Sequence, residues 1–135
     1  MPERYAATAR AGAAGYYGLC SALDDNVGRL LKALDENGVA SDTIVLFTAD
    51  HGDLLGSHGL EYKGVPYEES ARVPLLLRYP RAVKGGQTSD LLVSNVDLMP
   101  TLLALCGVAI PEGVQGQNLA GQILARQGRR PEAIY

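Results

Sequence analysis

The chain has 135 residues, of which 47% are apolar and 20% charged, and its formal net charge is −3. That length allows one domain at most, long enough to bury a core, and the balance is that of a globular chain rather than a disordered one. The acidic balance, the absence of Trp, the single Phe and the lack of any basic cluster beyond Arg129–Arg130 exclude nucleic acid as an expected partner.

Residues 1–14 are Ala- and Gly-rich without an amphipathic stripe, and a poorly packed, poorly ordered start is expected there. From Tyr16 the spacing predicts a helix over 16–37. Tyr16, Cys20, Leu23, Val27, Leu30, Leu31 and Leu34 step by three and four, while Asp24, Asp25, Arg29, Lys32 and Glu36 fill the other face. Gly38 after Asn37 suits a helix stop. A β-branched and apolar run predicts a strand over 43–49, read as buried on both sides. Gly52, Gly56, Gly59 and Gly64 mark a loop, and Tyr67 to Ala71 a helical turn. Val73 to Tyr79 reads as a second strand, with Pro74 near its start, where a missing N–H is tolerated. Lys84–Gln87 is a turn. Asp97 is the expected cap of a helix ending at Leu105, with Pro100 in its first turn and Gly107 as its stop. Residues 108–118 form a Pro/Gly loop, Leu119 to Arg126 a short helix, and Glu132–Tyr135 opens a further apolar run.

Together these elements predict an α/β arrangement. The two strands lie side by side or one strand apart, with helix 16–37 on one face. Leu23, Val27, Leu30 and Leu34 are expected to be buried with Val45 and Phe47. Cys20, on the apolar stripe, and Cys106, in a last helical turn, read as buried, reduced thiols rather than a disulfide framework. No apolar run approaches the roughly 20 residues of a membrane span. Met1-Pro2-Glu3-Arg4 opens no signal peptide, so the cytoplasm is the default location.

The chemistry concentrates where the first strand stops. Thr43–Ile44–Val45–Leu46–Phe47–Thr48 ends in Asp50–His51–Gly52, which puts a carboxylate and an imidazole at the strand-end edge where open α/β sheets bind ligands. Adjacent residues on a strand point to opposite faces, so both reach one ion only if the backbone turns, which Gly52 assists. The triplet alone is a short motif, and a solvated turn closing a strand is the plain alternative. Lys63, thirteen positions after Asp50 in a Gly-flanked loop, adds a point charge with three donors. His58 is a general acid by residue type, although Gly-Ser-His-Gly reads more readily as a structural loop near the site. Glu68, Glu69 and Arg72 suit a helical ion pair. Asp24–Asp25 reads as a solvated helix face.

The ordered segments YYGLCSALDDNVGRLLKALDENGVASDTIVLFTADHGD, the Lys63 loop, YEESARVPLLLRYP and SDLLVSNVDLMPTLLALCGVAIPEGVQGQNL resemble the sulfatase family of the alkaline-phosphatase-like superfamily. The Asp–His pairing and its spacing to Lys63 look most like bacterial choline-sulfatase-like enzymes and phosphonate monoester hydrolases. The resemblance implies a partial alkaline-phosphatase-like sheet with flanking helices. It implies that Asp50 and His51 bind a divalent metal, most often calcium and sometimes manganese or another ion. It also implies that Lys63 holds the sulfate group of a sulfate ester, and that the family's leaving-group His comes from a segment absent here.

The sequence departs from the family in two respects. The family's nucleophile is a formylglycine made within Cys-x-Pro-x-Arg, and neither Cys20 nor Cys106 is followed by Pro and Arg at the required places. Nor does an apolar strand before residue 40 end in the family's pair of acidic ligands. The resemblance therefore implies the carboxyl-terminal part of a catalytic domain, binding metal weakly and inactive by itself. The alternatives are a non-catalytic globular remnant that self-associates, or part of a phosphonate or phosphodiester hydrolase. Homodimerisation through a sheet edge or the exposed face of helix 16–37 is expected.

Overall fold

The computed structural model describes residues 3–125, with side-chain surroundings over 12–124. In chain order the elements are α1 (Glu3–Glu36), a 3₁₀ turn at Ala40–Asp42, β1 (Val45–Thr48) and a 3₁₀ turn at Ser57–Gly59. They continue with α2 (Glu68–Ala71), β2 (Leu75–Arg78), α3 (Asn95–Leu105) and α4 (Ala120–Ala125). They fall into two compact units that divide after Pro80. Among the described residues no helix is long and apolar enough to cross a membrane.

In the first unit α1 starts at Glu3, not near Tyr16, so the stretch expected to be poorly ordered is helical. Ala6, Ala7, Ala9, Ala11, Ala13 and Ala14 explain the difference. Alanine has the highest intrinsic helix propensity and needs no apolar stripe to express it. The other end is as the sequence predicts. Gly38, at φ 68°, donates its N–H to the Asp35 carbonyl, and Val39 donates to Leu34, which together close a Schellman motif.

β1 and β2 pair side by side and antiparallel, Val45 opposite Arg78 and Phe47 opposite Leu76. One face of α1 looks onto this two-stranded sheet across an open apolar groove of about 450 Å³, lined by Cys20, Leu23, Val27 and Leu31 from the helix and by Val45 and Phe47 from the sheet. Arg78 bridges to Asp35 at 3.7 Å.

The expected packing is corrected in its detail. Leu30 is 67% and Leu23 53% exposed, while Val27, Leu34, Val45 and Phe47 are half-buried. Leu31, not Leu30, faces the sheet, and successive helix positions lie about 100° apart, so Leu30 turns away. Two strands offer too little area to cover the helix, and β1 is half-buried along its length rather than buried on both sides. Cys20 is likewise exposed at the groove, not in a core.

In the second unit α3 is capped by Ser94. Asp97 is not the cap but the third helical residue of a capping box, its carboxylate accepting the Ser94 N–H at 2.9 Å. Pro100 accordingly sits beyond the first turn. Asp97 is 3% exposed, and its other oxygen accepts the Gln117 N–H at 2.7 Å. The Thr101 hydroxyl accepts from Leu119 N–H at 3.0 Å and donates to the Gln117 carbonyl at 3.3 Å. A Cβ at Gly116 would collide with the Val96 carbonyl, whose usual helical donor is absent because residue 100 is proline. Leu105, Leu119 and Ala120 form the buried apolar contacts. Gly107, at φ 70°, closes α3 through Gly107 N–H to Ala104 and Val108 N–H to Leu103. Cys106 caps this end and is exposed, against expectation. The expected run at Glu132–Tyr135 and the end of the expected helix at Arg126 lie outside the described residues.

Candidate metal and anion site

The chain leaves β1 at Thr48, before it reaches the acid. The alternation that would separate Asp50 from His51 therefore no longer applies. Asp50 Oδ1 accepts the His51 backbone N–H at 2.9 Å, and Asp50 Oδ2 lies 3.4 Å from His51 Nε2. His51 Nδ1 is 2.8 Å from the Gly52 carbonyl. A carbonyl only accepts, so Nδ1 carries the proton and donates it. In the neutral ring Nε2 then presents a lone pair beside a carboxylate oxygen. A carboxylate and a ring nitrogen thus lie side by side at a largely exposed position. Donor atoms 3.4 Å apart subtend roughly 90° at an ion held about 2.4 Å from each, a geometry that calcium and similar ions accept. The backbone carbonyl on Nδ1 is the usual outer partner of a metal-bound imidazole.

Gly52 fixes where this turn lies. Its N–H donates to the Ser70 carbonyl at 2.8 Å, and a Cβ in its place would collide with the Glu69 carbonyl. The following loop is tied back on itself. Leu54, 2% exposed, donates its N–H to the Tyr62 carbonyl at 2.7 Å, and Ser57 N–H donates to Leu54 at 2.7 Å. Among the described residues, the three non-glycine residues with positive φ all fall here: Leu55 at 45°, His58 at 57° and Tyr62 at 66°. Such conformations cost energy and persist only where the surroundings over-determine them.

Lys63 follows Tyr62 and is exposed. The His58 ring stacks on Tyr67, centroids 3.9 Å apart and planes 14° apart, and His58 Nε2 lies 3.4 Å from Glu69 Oε1. A hydrogen bond from its own backbone N–H holds the Glu69 carboxyl below its usual range. Desolvation opposes this, and the His58 charge and the Ser57 hydroxyl make smaller contributions that lower it further. Glu68 pairs with Arg72 at 3.4 Å as the helical spacing predicts, but both side chains are largely exposed and the pair adds little.

Two contributors were not singled out from sequence as parts of the site. Tyr67 carries no motif, and Glu69 was assigned to the Glu–Arg cluster rather than to His58. Among the described residues no group of three or more His, Cys, Asp or Glu is placed to hold a metal.

Comparison with known proteins places this geometry in context. The sulfatase family model matches residues 2–108. An N-acetylglucosamine-6-O-sulfatase of Bacteroides thetaiotaomicron is 42% identical over 86% of the chain and 21% of its own length. An arylsulfatase of Clostridium perfringens is 44% identical over 90% of the chain and 26% of its own length. Among solved structures, a protein in complex with its substrate D-glucosamine-2-N,6-O-disulfate superposes with a TM-score of 0.75 at 42% identity, covering 84% of this chain and 23% of that one. A phosphonate monoester hydrolase of Silicibacter pomeroyi superposes with a TM-score of 0.76 at 33% identity, covering 89% and 23%. The chain thus spans about a quarter of the length of these relatives. Its helices and paired strands form part of an alkaline-phosphatase-like α/β fold.

Proposed function

The chain belongs to the sulfatase family, and from that premise we propose that it carries the metal-and-sulfate half of a sulfuric ester hydrolase site. The observation that carries this reading is the 3.4 Å approach of Asp50 Oδ2 to His51 Nε2, with Nδ1 anchored on a carbonyl. Asp50 supplies negative charge and His51 a neutral nitrogen. This mixed pair suits a divalent ion, with calcium first and manganese or another ion compatible because one donor is nitrogen. When bound, such a metal supplies Lewis-acid polarisation of oxygens at the reacting centre. Lys63 offers three N–H donors to the sulfate oxygens and stabilises the charge that develops as the ester bond breaks. His58 Nε2 is engaged by Glu69, and no proton transfer is assigned to it.

Two protein donors are too few for a tight site, since calcium takes about six to eight oxygen ligands. The chain by itself therefore binds metal weakly, with water completing the shell. No Cys-x-Pro-x-Arg occurs in the sequence, and steady turnover of an aryl sulfate by the isolated chain is not expected. The substrate class is a small sulfate ester. A phosphonate monoester or phosphodiester is the second reading, favoured by the likeness to the Silicibacter pomeroyi enzyme and by the fact that the same cation and ammonium suit either anion.

Mn²⁺ titration followed by electron paramagnetic resonance tests the site. Wild type is expected to bind at least tenfold more tightly than Asp50→Ala or His51→Ala. Equal binding by all three chains would sink the metal reading.

A further inference from the structure

We propose that His58 is a positioning residue that anchors the loop carrying Lys63 on α2, beside the turn carrying Asp50 and His51, acting through Tyr67 and Glu69. The inference rests on the reading of the site given above and extends it to a side chain that touches neither metal nor substrate.

The coupling follows from what α2 touches. Its main chain meets the metal-pair turn, because Gly52 donates its N–H to the Ser70 carbonyl and packs against the Glu69 carbonyl. The Glu69 side chain reaches the other way, to His58 Nε2 at 3.4 Å. Tyr67, the residue before α2, lies flat against the His58 ring. One four-residue helix thus grips the turn with its backbone and the loop with its side chains. On the loop side His58 occupies a left-handed conformation at φ 57°, inside the 3₁₀ turn Ser57–Gly59. The stack on Tyr67 and the contact with Glu69 hold the histidine in this left-handed conformation, which is uncommon for residues other than glycine. From His58 the constraint passes to Lys63 through short backbone links: Leu60 N–H to Ser57, Ser57 N–H to Leu54, and Leu54 N–H to Tyr62. Lys63 makes the best use of its charge only if its backbone is held while its ammonium remains free, which is the arrangement at an exposed residue following a pinned one. The metal pair does not depend on His58, because its link to α2 runs through main-chain atoms.

The test uses the full chain with inorganic sulfate and Mn²⁺ as probes. The variants are His58→Asn, Tyr67→Ala, Lys63→Ala and the double variant His58→Asn/Lys63→Ala. Asparagine tolerates left-handed backbone, so His58→Asn removes the ring and its contacts with Tyr67 and Glu69 without adding strain. Both His58→Asn and Tyr67→Ala should lower hydrogen-exchange protection of the Leu54 amide at least tenfold and leave that of Val108 within twofold. Both should weaken sulfate binding at least fivefold and leave Mn²⁺ affinity within twofold. The double variant should bind sulfate no more weakly than Lys63→Ala alone, a non-additivity that marks action through Lys63 and that a merely structural role would not produce.

Unchanged Leu54 protection in both loop variants overturns the proposal, as do additive sulfate losses in the double variant. Sulfate binding indifferent to Lys63→Ala, with Leu54 protection still falling in the loop variants, overturns the anion role of Lys63 and with it the purpose assigned to His58. That result is distinguishable from failure of the coupling itself.

Discussion

The 94–120 segment and the 16–78 segment bury very different things. In the first, the Asp97 carboxylate is 3% exposed and both of its oxygens accept backbone N–H groups, while the Thr101 hydroxyl both accepts and donates across the same gap. In the second, Leu30 and Leu76 are 67% and 64% exposed, and α1 faces the sheet across an open groove. Polar groups can be satisfied locally, by a handful of directed bonds between a helix start and a loop. Apolar faces cannot, because their stabilisation grows with area and a two-stranded sheet supplies little of it. The candidate site belongs to the less covered segment, yet its loop and turn are pinned by hydrogen bonds of the kind that dominate the other.

The largest effect is expected where the polar network is most buried. Asp97→Ala strands the Ser94 and Gln117 N–H groups and should cost about 3 kcal/mol, read by urea unfolding together with lost exchange protection at Gln117. A cost below about 1 kcal/mol would mean that the 94–120 segment does not depend on its carboxylate, and the contrast would collapse.

Gly52→Ala forces a methyl group onto the Glu69 carbonyl and should cost about 2 kcal/mol. It should also weaken Mn²⁺ binding severalfold, because the turn must move away from α2. Normal Mn²⁺ binding by this variant would show that the turn holds its shape without its contact to α2.

Substitution of the exposed leucines acts differently. Leu30→Glu and Leu76→Lys should change stability by no more than about 0.5 kcal/mol, since neither side chain is buried. If a second copy covers either exposed leucine, sedimentation at high micromolar concentration should show wild type associating and the double variant monomeric. A monomeric wild type would mean that the open face tolerates water unaided.

The smallest effect is a pH dependence. The Glu69 carboxyl is held below its usual 4.5, first by its own backbone N–H and then by the His58 charge. A lowered carboxyl contributes stability that is fully present above the ordinary value and is lost as pH falls through the lowered one. Exchange protection of Leu54 should therefore fall as the solution is acidified below about pH 4.5, and Glu69→Gln should flatten that dependence. A profile unchanged by Glu69→Gln would detach the loop from α2.

What the sequence determined by itself is what neighbours along the chain decide. The carboxyl ends of α1 and α3 were legible because Gly38 and Gly107 each follow a helical run and adopt the positive φ that a Schellman stop requires. The two strands were legible from apolar runs bounded by turn residues, while whether they lie side by side or one strand apart was left to the structure, which pairs them directly. The Asp50–His51–Gly52 turn and Lys63 stood out through the resemblance to the sulfatase family, since the triplet alone reads as a solvated turn closing a strand.

Only the tertiary structure decided the rest. It turned Leu31 rather than Leu30 toward the sheet and left Cys20 and Cys106 exposed, because burial depends on what lies opposite a face and not on the face's own pattern. It made Asp97 a bridge to Gln117, twenty positions away, rather than a simple cap. It brought the acid and imidazole of adjacent residues to 3.4 Å in a turn after a strand that ends at Thr48, one residue short of the expected 43–49. It also set His58 on Tyr67 and Glu69. Each of these outcomes depends on where the backbone leaves its regular element or on contacts between residues that only folding makes neighbours, and neither local propensity nor periodicity encodes them.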